Sequence, residues 1–127
     1  QENVRGIVAD CPYTNAKDII CSVAHDLVVP AAWLYPFVRM SARIFGQADL
    51  AQADALSAVR HARIPLLLIH GEDDHFVPLR MAFENRDASA SFCKLLVIPG
   101  ADHARTYYMG RGAYEAAMRA FWEHFDK

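Results

Sequence analysis

The run Pro65-Leu66-Leu67-Leu68-Ile69-His70-Gly71 decides the fold of this chain. Its apolar residues stand at successive positions instead of alternating with polar ones, a pattern typical of a strand buried on both faces of a parallel sheet. Two further runs, residues 4–11 and residues 93–98, have the length and composition of strands. Residues 79–90, between the second and third runs, have a helical composition. Strands that alternate with helices predict an α/β fold with a three-stranded parallel core.

The last segment of the chain has the clearest helical pattern. Its apolar side chains recur at helical spacing on one side, and its charged side chains fall on the other. The apolar positions are Tyr114, Ala117, Met118, Phe121, Trp122 and Phe125. We therefore predict an amphipathic helix that packs on the sheet.

The stretch at about 13–63 is too long for a single connection between two strands. We predict helical pieces at residues 16–25, 34–45 and 50–63, with breaks at Pro30, Pro36 and Gly46. The stretch is rich in aromatic residues, namely Trp33, Tyr35, Phe37 and Phe45. A lid-like insertion over a pocket and ordinary helices that cover the sheet both account for this composition, and both interpretations stay open.

The composition limits the class of protein. A chain of 127 residues with 54% hydrophobic residues predicts one domain with a core and excludes a disordered chain. The 13 Lys and Arg nearly balance the 15 Asp and Glu without a basic patch, so no nucleic acid partner is expected. The longest apolar stretch, residues 27–38, is too short and too interrupted by proline to span a bilayer, so no membrane partner is expected.

The three cysteines, Cys11, Cys21 and Cys93, are odd in number and follow no spacing pattern. Such cysteines in a domain of this size are typical of reduced thiols in a core, and they favour a cytoplasmic protein. Cys11 could line a pocket, but burial is the preferred interpretation.

Two loops that follow predicted strands are rich in polar side chains. We call residues 72–78 the acid loop and residues 99–105 the histidine loop. Neighbouring parallel strands end at the same edge of a sheet, so an acidic residue of one loop can face a histidine of the other. A carboxylate beside an imidazole fixes the ring tautomer and stabilises the imidazolium that forms when the ring takes a proton.

The sequence His70-Gly71-Glu72-Asp73-Asp74-His75-Phe76-Val77-Pro78 resembles the acid loop of the α/β-hydrolase superfamily, where a strand ends in H-G-x-x-D-x-x-V-P. Gly100-Ala101-Asp102-His103-Ala104 resembles the histidine loop of that superfamily. The likeness extends over essentially the whole chain. It is closest to small bacterial serine hydrolases of the esterase type, near the bile-acid acyltransferase and prolyl-oligopeptidase-like groups.

The resemblance implies specific roles. Asp74 would be the acid and His103 the base of a Ser-His-Asp triad that needs no cofactor and no metal, with a small-molecule ester or acyl compound as substrate. Asp73 is the rival for the acid position, with hydrogen bonding to loop amides as its other role. His70 is expected to pack at the end of the strand, His75 to lie at the rim or the surface, and Asp102 to form a turn.

The chain departs from the superfamily at the nucleophile. It contains no G-x-S-x-G motif, and the oxyanion-hole loop that precedes this motif is also missing. None of the serines of the chain has flanking glycines; they are Ser22, Ser41, Ser57, Ser89 and Ser91. Together with the Gln1 start, this predicts that residues 1–127 are the C-terminal part of one α/β-hydrolase domain without its nucleophile-bearing N-terminal portion. We expect the isolated chain to be inactive, since an acid and a base without a nucleophile have nothing to activate.

The expected partner of this chain follows from the same departure. Without an upstream neighbour, the strand at residues 4–11 would present an unpaired apolar edge. We therefore expect either the missing N-terminal part of the same domain or self-association through this edge.

Two other classes of function stay open. His70, Asp74 and His75 lie in an H-x-E-x-D-H pattern close to the metal-binding loop H-x-H-x-D-H of the metallo-β-lactamase type, so a metal-dependent hydrolase is one alternative. The other is a non-catalytic binding or interaction module that keeps a hydrolase-like half fold.

Overall fold

A computed structural model describes residues 3–27 and 30–125. The three strands are β1 (Ile7–Asp10), β2 (Leu66–Gly71) and β3 (Cys93–Ile98). They form a parallel sheet in the order β1-β2-β3, with Ala9 opposite Leu68 and Leu68 opposite Leu95. The predicted α/β class and the three parallel strands are thus confirmed.

The first strand is shorter than the sequence suggests. Pairing begins where the Ile7 N–H donates to the Pro65 carbonyl at 3.0 Å, so residues 4–6 precede the ladder instead of belonging to it. The other two strands differ from their predicted bounds by at most one residue.

The helices are α1 (Ala16–Asp26), α2 (Ala31–Phe45), α3 (Ala55–His61), α4 (Leu79–Ala88), α5 (Thr106–Met109) and α6 (Arg111–Phe125). The amphipathic stripe predicted at the end of the chain is confirmed in α6. Its Ala117 and Phe121 are buried with Leu67 and Ile69 of the central strand. All six residues of β2 are buried, as expected for a strand covered on both faces.

The predicted break at Pro36 is wrong, because Pro36 lies inside α2. Proline removes one hydrogen bond from a helix and usually kinks or ends it. Pro36 is exposed, and the helix continues past it to Phe45, so the loss of this one hydrogen bond is tolerated here.

The predicted single helix at residues 50–63 is also wrong. A short 3-10 turn, Leu50–Gln52, is followed by the separate helix α3. The Asp54 side chain starts α3 by accepting from the Ser57 N–H at 2.8 Å, and an N-cap of this kind ends any helix that comes before it.

Helices α1 and α2 pack against each other as one layer, whereas α3 packs against α4. Two apolar side chains of α2, Leu34 and Val38, face a cavity between the layer and the sheet edge. A second apolar stripe on α2 is exposed, with relative exposures of 73% for Trp33, 60% for Phe37, 53% for Met40 and 62% for Ile44. Trp33 and Phe37, two of the aromatic residues that suggested a lid, are therefore directed to solvent.

The cysteines and the helix lengths complete the description of the fold. All three cysteines are free thiols, but Cys11 is buried whereas Cys21 and Cys93 are partly exposed, so the prediction of core thiols fits Cys11 alone.

Across residues 3–27 and 30–125, no helix has both the length and the apolar character needed to cross a membrane.

Candidate active site

Two loops leave the carboxyl ends of β2 and β3 and lie side by side. Backbone hydrogen bonds join them directly: the Glu72 N–H donates to the Ile98 carbonyl, and the Asp73 N–H donates to the Ala101 carbonyl, each at 3.0 Å. The acid loop and the histidine loop therefore form one hydrogen-bonded unit at the sheet edge where α/β proteins place their binding sites.

Gly71 permits this close approach. A Cβ at position 71 would lie 2.2 Å from the Ala101 carbonyl oxygen and 2.8 Å from its carbon, both of which are backbone atoms. Any larger residue would push the two loops apart, so the glycine sets the spacing on which the site depends.

Asp74 is fixed by backbone donors of its own loop. Its Oδ1 accepts hydrogen bonds from the Phe76 N–H at 3.0 Å and the Val77 N–H at 2.7 Å. Its Oδ2 lies 2.9 Å from Nδ1 of His103, and the Asp74 side chain is fully buried. The structure thus brings the predicted acid and base into direct hydrogen-bond contact, and it is Asp74, not Asp73, that makes it.

The environment of Asp74 favours its ionised form. Burial raises the pKa of this carboxyl, but the Val77 N–H, the hydrogen bond with His103 and the Cys11 thiol outweigh burial, so the pKa lies below its usual value. An ionised Asp74 can only accept a hydrogen bond, so Nδ1 of His103 carries a proton and donates it to Oδ2. The neutral ring then carries its lone pair on Nε2, which is the arrangement a general base requires.

The His103 ring is held in place by its neighbours. The His103 backbone N–H donates to Oδ1 of Asp102 at 2.7 Å, and the same oxygen accepts from the His75 N–H at 3.1 Å. The Phe76 ring packs against the imidazole with the ring centroids 4.9 Å apart. The His103 side chain is 38% exposed, so the base stays accessible while its position is fixed.

Asp102 adds a link between the loops that the sequence analysis missed. It was expected to form a turn, but its carboxylate also lies 3.5 Å from Nδ1 of His75 in the acid loop. The N–H groups of His75 and His103 lower the pKa of this carboxyl. An acidic residue next to the predicted base was a signal for this contact, since its side chain can reach the facing loop.

His70 and Asp74 lie close together, with Nε2 of His70 3.5 Å from Oδ2 of Asp74, but His75 does not join them. His70 is buried at the end of β2, where its Nε2 contacts the Val77 carbonyl at 2.9 Å, as expected for a packed histidine. His75 is exposed, as expected, and pairs with Asp102. Within the part of the chain that the structure describes, the group of potential metal ligands that does come together is Cys11, Asp74 and His103.

Cys11 is the site residue that sequence reasoning undervalued. It follows β1 with φ of 50°, a left-handed backbone that non-glycine residues rarely adopt. This turn directs the buried thiol to within 3.3 Å of Oδ1 of Asp10 and into the same cavity as His103. Burial, above all, raises the pKa of Cys11 to about 12, so the free thiol is protonated and is a poor nucleophile.

The cavity has a volume of about 610 Å³ and is mainly apolar. His103 and Cys11 lie at one side of it. Side chains of α1 and α2 form the opposite wall, namely Ile19, Ile20, Val23, Ala24, Leu34 and Val38. Among the described residues that line it there is no serine.

Comparison with known proteins identifies the fold. No protein-family model matches the chain, and no curated protein matches it in sequence. An esterase of Pyrococcus furiosus is similar in structure, with a TM-score of 0.69, 20% identity, and coverage of 98% of this chain and 46% of the esterase. An alpha/beta hydrolase enzyme from a lagoon-sediment metagenome gives a TM-score of 0.62 at 12% identity, covering 98% of this chain and 52% of the enzyme.

A third similar structure is acetyl xylan esterase 1 from a Thermoanaerobacterium species. Its TM-score is 0.58 at 18% identity, with coverage of 91% of this chain and 38% of the esterase. The chain therefore has the architecture of an α/β hydrolase and spans about half the length of these structures or less. The fold implied by the sequence resemblance is confirmed.

Proposed function

We propose that this chain supplies the acid, Asp74, and the general base, His103, of an ester hydrolase that uses a serine nucleophile. The observation that carries the proposal is the contact of 2.9 Å between Nδ1 of His103 and Oδ2 of Asp74 beside an apolar cavity. The similar folds of the esterase of Pyrococcus furiosus and of acetyl xylan esterase 1 support it.

On this proposal, each of the two residues has its own role in an acyl transfer. Nε2 of His103 accepts the proton of the attacking hydroxyl while the new bond to the ester carbonyl forms. Asp74 stabilises the resulting imidazolium and keeps the ring oriented. The proton then passes from Nε2 to the departing alcohol oxygen as the ester bond breaks, and water releases the acyl group by the same steps.

The cavity suggests the substrate class. Its wall from α1 and α2 is apolar, so an ester with an apolar acyl or alcohol part would gain free energy by leaving water. On this proposal the helices between β1 and β2 act as a lid-like insertion over the substrate, and their inner side chains, not the exposed stripe of α2, make the contacts.

The proposal places the nucleophile and the oxyanion donors outside residues 1–127. Two observations support this: the chain has no G-x-S-x-G motif, and the described residues that line the cavity include no serine. Residues 1–127 would then be the C-terminal part of one hydrolase domain. We expect the chain alone to be inactive, because triad members act as a unit and losing one costs about 10⁴ to 10⁶ in rate.

The test uses the complete gene product that contains these residues, alongside the chain alone. We expect the complete product to hydrolyse p-nitrophenyl esters and to be labelled by a fluorophosphonate on a serine outside residues 1–127. His103→Ala should lower kcat/KM by about 10³-fold or more, since the base is lost. The matched control is His61→Ala, an exposed histidine at the end of α3 and outside the two loops, which should stay within about threefold of wild type.

Three results would contradict the proposal. Hydrolysis by the chain alone that disappears in His103→Ala would mean that the nucleophile lies within residues 1–127. Labelling that is insensitive to His103→Ala would remove His103 from the reaction. A complete product that binds apolar esters without labelling or turnover would favour the non-catalytic binding module.

A further inference from the structure

Three side chains of different chemistry meet at the base of the cavity. One ligand atom from each of Cys11, Asp74 and His103 lies within 4.8 Å of the other two. They come from three separate segments: the turn after β1, the acid loop and the histidine loop. Cys11 and Asp74 are buried, while His103 opens to the cavity.

This set of donors matches the ligands that zinc prefers. Structural and catalytic zinc sites are built from thiolate, imidazole and carboxylate, and three protein ligands leave a fourth tetrahedral position open. Atoms less than 4.8 Å apart can approach a common centre at metal–ligand distances of 2.0 to 2.3 Å with small side-chain shifts. The fourth position would face the cavity.

The backbone already holds these ligands in place. Cys11 adopts its left-handed turn while its N–H donates to the Ile69 carbonyl at 2.8 Å, so the direction of its Cα–Cβ bond is fixed. Asp74 is held by the Phe76 and Val77 N–H groups. A site in which two of three ligands are fixed before the metal arrives loses less side-chain entropy on binding.

We propose that Cys11, Asp74 and His103 form a binding site for a thiophilic divalent cation, with Zn²⁺ as the natural candidate, and that the bound ion blocks the base. Binding forms bonds from the metal to the sulfur, to a carboxylate oxygen and to a ring nitrogen, and it releases the Cys11 thiol proton to solvent. The ring nitrogen that faces Asp74 is Nδ1. Metal on Nδ1 takes the place of the proton that this nitrogen donates to Asp74, and that proton moves through solvent to Nε2. If His103 is the base of the proposed hydrolase, the metal-bound ring has no lone pair left on Nε2 to accept a proton.

The experiment measures metal binding by the 127-residue chain, so it does not depend on catalysis. Metal-free protein is titrated with Zn²⁺ by calorimetry and with Cd²⁺ by ultraviolet absorbance, which detects metal–thiolate charge transfer. We expect one ion per chain and a thiolate band. Cys11→Ser should abolish the band and weaken zinc binding at least about hundredfold, since even indirect supports of a metal site cost 10- to 100-fold.

Matched controls are Cys21→Ser and Cys93→Ser, the two thiols outside the cluster. Both should keep the band and an affinity within about twofold of wild type. His103→Ala serves as a second test if Cys11→Ser does not fold by circular dichroism, because its side chain is partly exposed; it should keep a weakened thiolate band and lose the tight zinc site.

The proposal is overturned if no band forms at millimolar Cd²⁺, if the band persists in Cys11→Ser, or if His103→Ala binds zinc as wild type does. None of these results bears on the proposed hydrolase. Conversely, a hydrolase test that fails would leave a measured zinc site intact.

Discussion

The two halves of this molecule are built differently. From β2 onward, the central strand is buried along its whole length, and the loops that carry Asp74 and His103 are bonded to each other through their backbones. Before β2, none of the described side chains of α2 is buried, and five large apolar ones face solvent. The difference teaches that the acid–imidazole pair depends on backbone geometry, whereas the cavity wall is a thin layer of side chains.

The largest expected effect is in the buried half. Leu67 is fully buried in the core, so Leu67→Ala should lower the free energy of unfolding by about 2–5 kcal/mol. Phe37 is 60% exposed on α2, so Phe37→Ala should change the free energy of unfolding by less than about 0.5 kcal/mol. Urea unfolding followed by circular dichroism gives both values. Equal losses in the two variants would mean that the halves do not differ in the way described.

The second effect tests the spacing of the two loops. Gly71→Ala places a Cβ against the Ala101 carbonyl, and relieving such a contact costs about 1–3 kcal/mol. Gly112→Ala is the matched control, because a Cβ there meets nothing within 4 Å. This control should be neutral or slightly stabilising in a helix. If urea unfolding showed Gly112→Ala to be less stable than Gly71→Ala, this result would contradict the close approach of the loops.

The third effect is on self-association of the chain through the β1 edge of the sheet. β1 pairs with β2 on one side, and Ile7 at its start is 41% exposed. We expect the chain to self-associate through this edge, so Ile7→Lys should raise the dimer dissociation constant about tenfold, or 1.4 kcal/mol. Ile44→Lys on the exposed stripe of α2 is the matched control. Analytical ultracentrifugation in which Ile44→Lys has the larger effect would place the contact on α2, and a monomer at high concentration would exclude both.

The smallest expected effect is on acid stability. The pKa of Asp74 is lowered by folding, although burial opposes this, so its ionised form stabilises the folded chain. This contribution is complete at neutral pH and is lost as the pH falls below the ordinary carboxyl value of 3.8 through the lower folded value. Asp74→Asn should flatten the fall in unfolding free energy between about pH 5 and pH 2. Asp73→Asn, at the exposed neighbouring position, is the matched control and should change the unfolding free energy at neutral pH by less than about 0.5 kcal/mol.

The sequence was most informative where burial imposes a regular pattern of apolar residues, either an unbroken run or a stripe. The unbroken apolar run of β2 and the stripe of α6 predicted their structure, because burial on two faces or on one face dictates which residues can stand there. The common edge at which β2 and β3 end predicted that an acidic residue could face a histidine, and the resemblance to the α/β-hydrolase loops selected Asp74 and His103.

The parts that were missed have no local signature. A left-handed backbone at Cys11 is set by tertiary contacts, since nothing about a cysteine favours positive φ, and so its place beside Asp74 could not be predicted. Pro36 inside α2 contradicts local propensity and is tolerated because it is exposed. The direction of the stripe from Trp33 to Ile44 depends on which face of α2 meets α1, which spacing alone does not decide.

The pairing of adjacent strands also bears on how such a site could move between proteins. Asp74 and His103 are 29 positions apart, and the contact between them needs one strand–helix–strand unit. Recombination or a deliberate graft that transfers residues 66–103 would carry the acid, the imidazole and the glycine that spaces them as a single module. Cys11 would stay behind, so a transplant of this kind would separate the proton-transfer pair from its thiol neighbour.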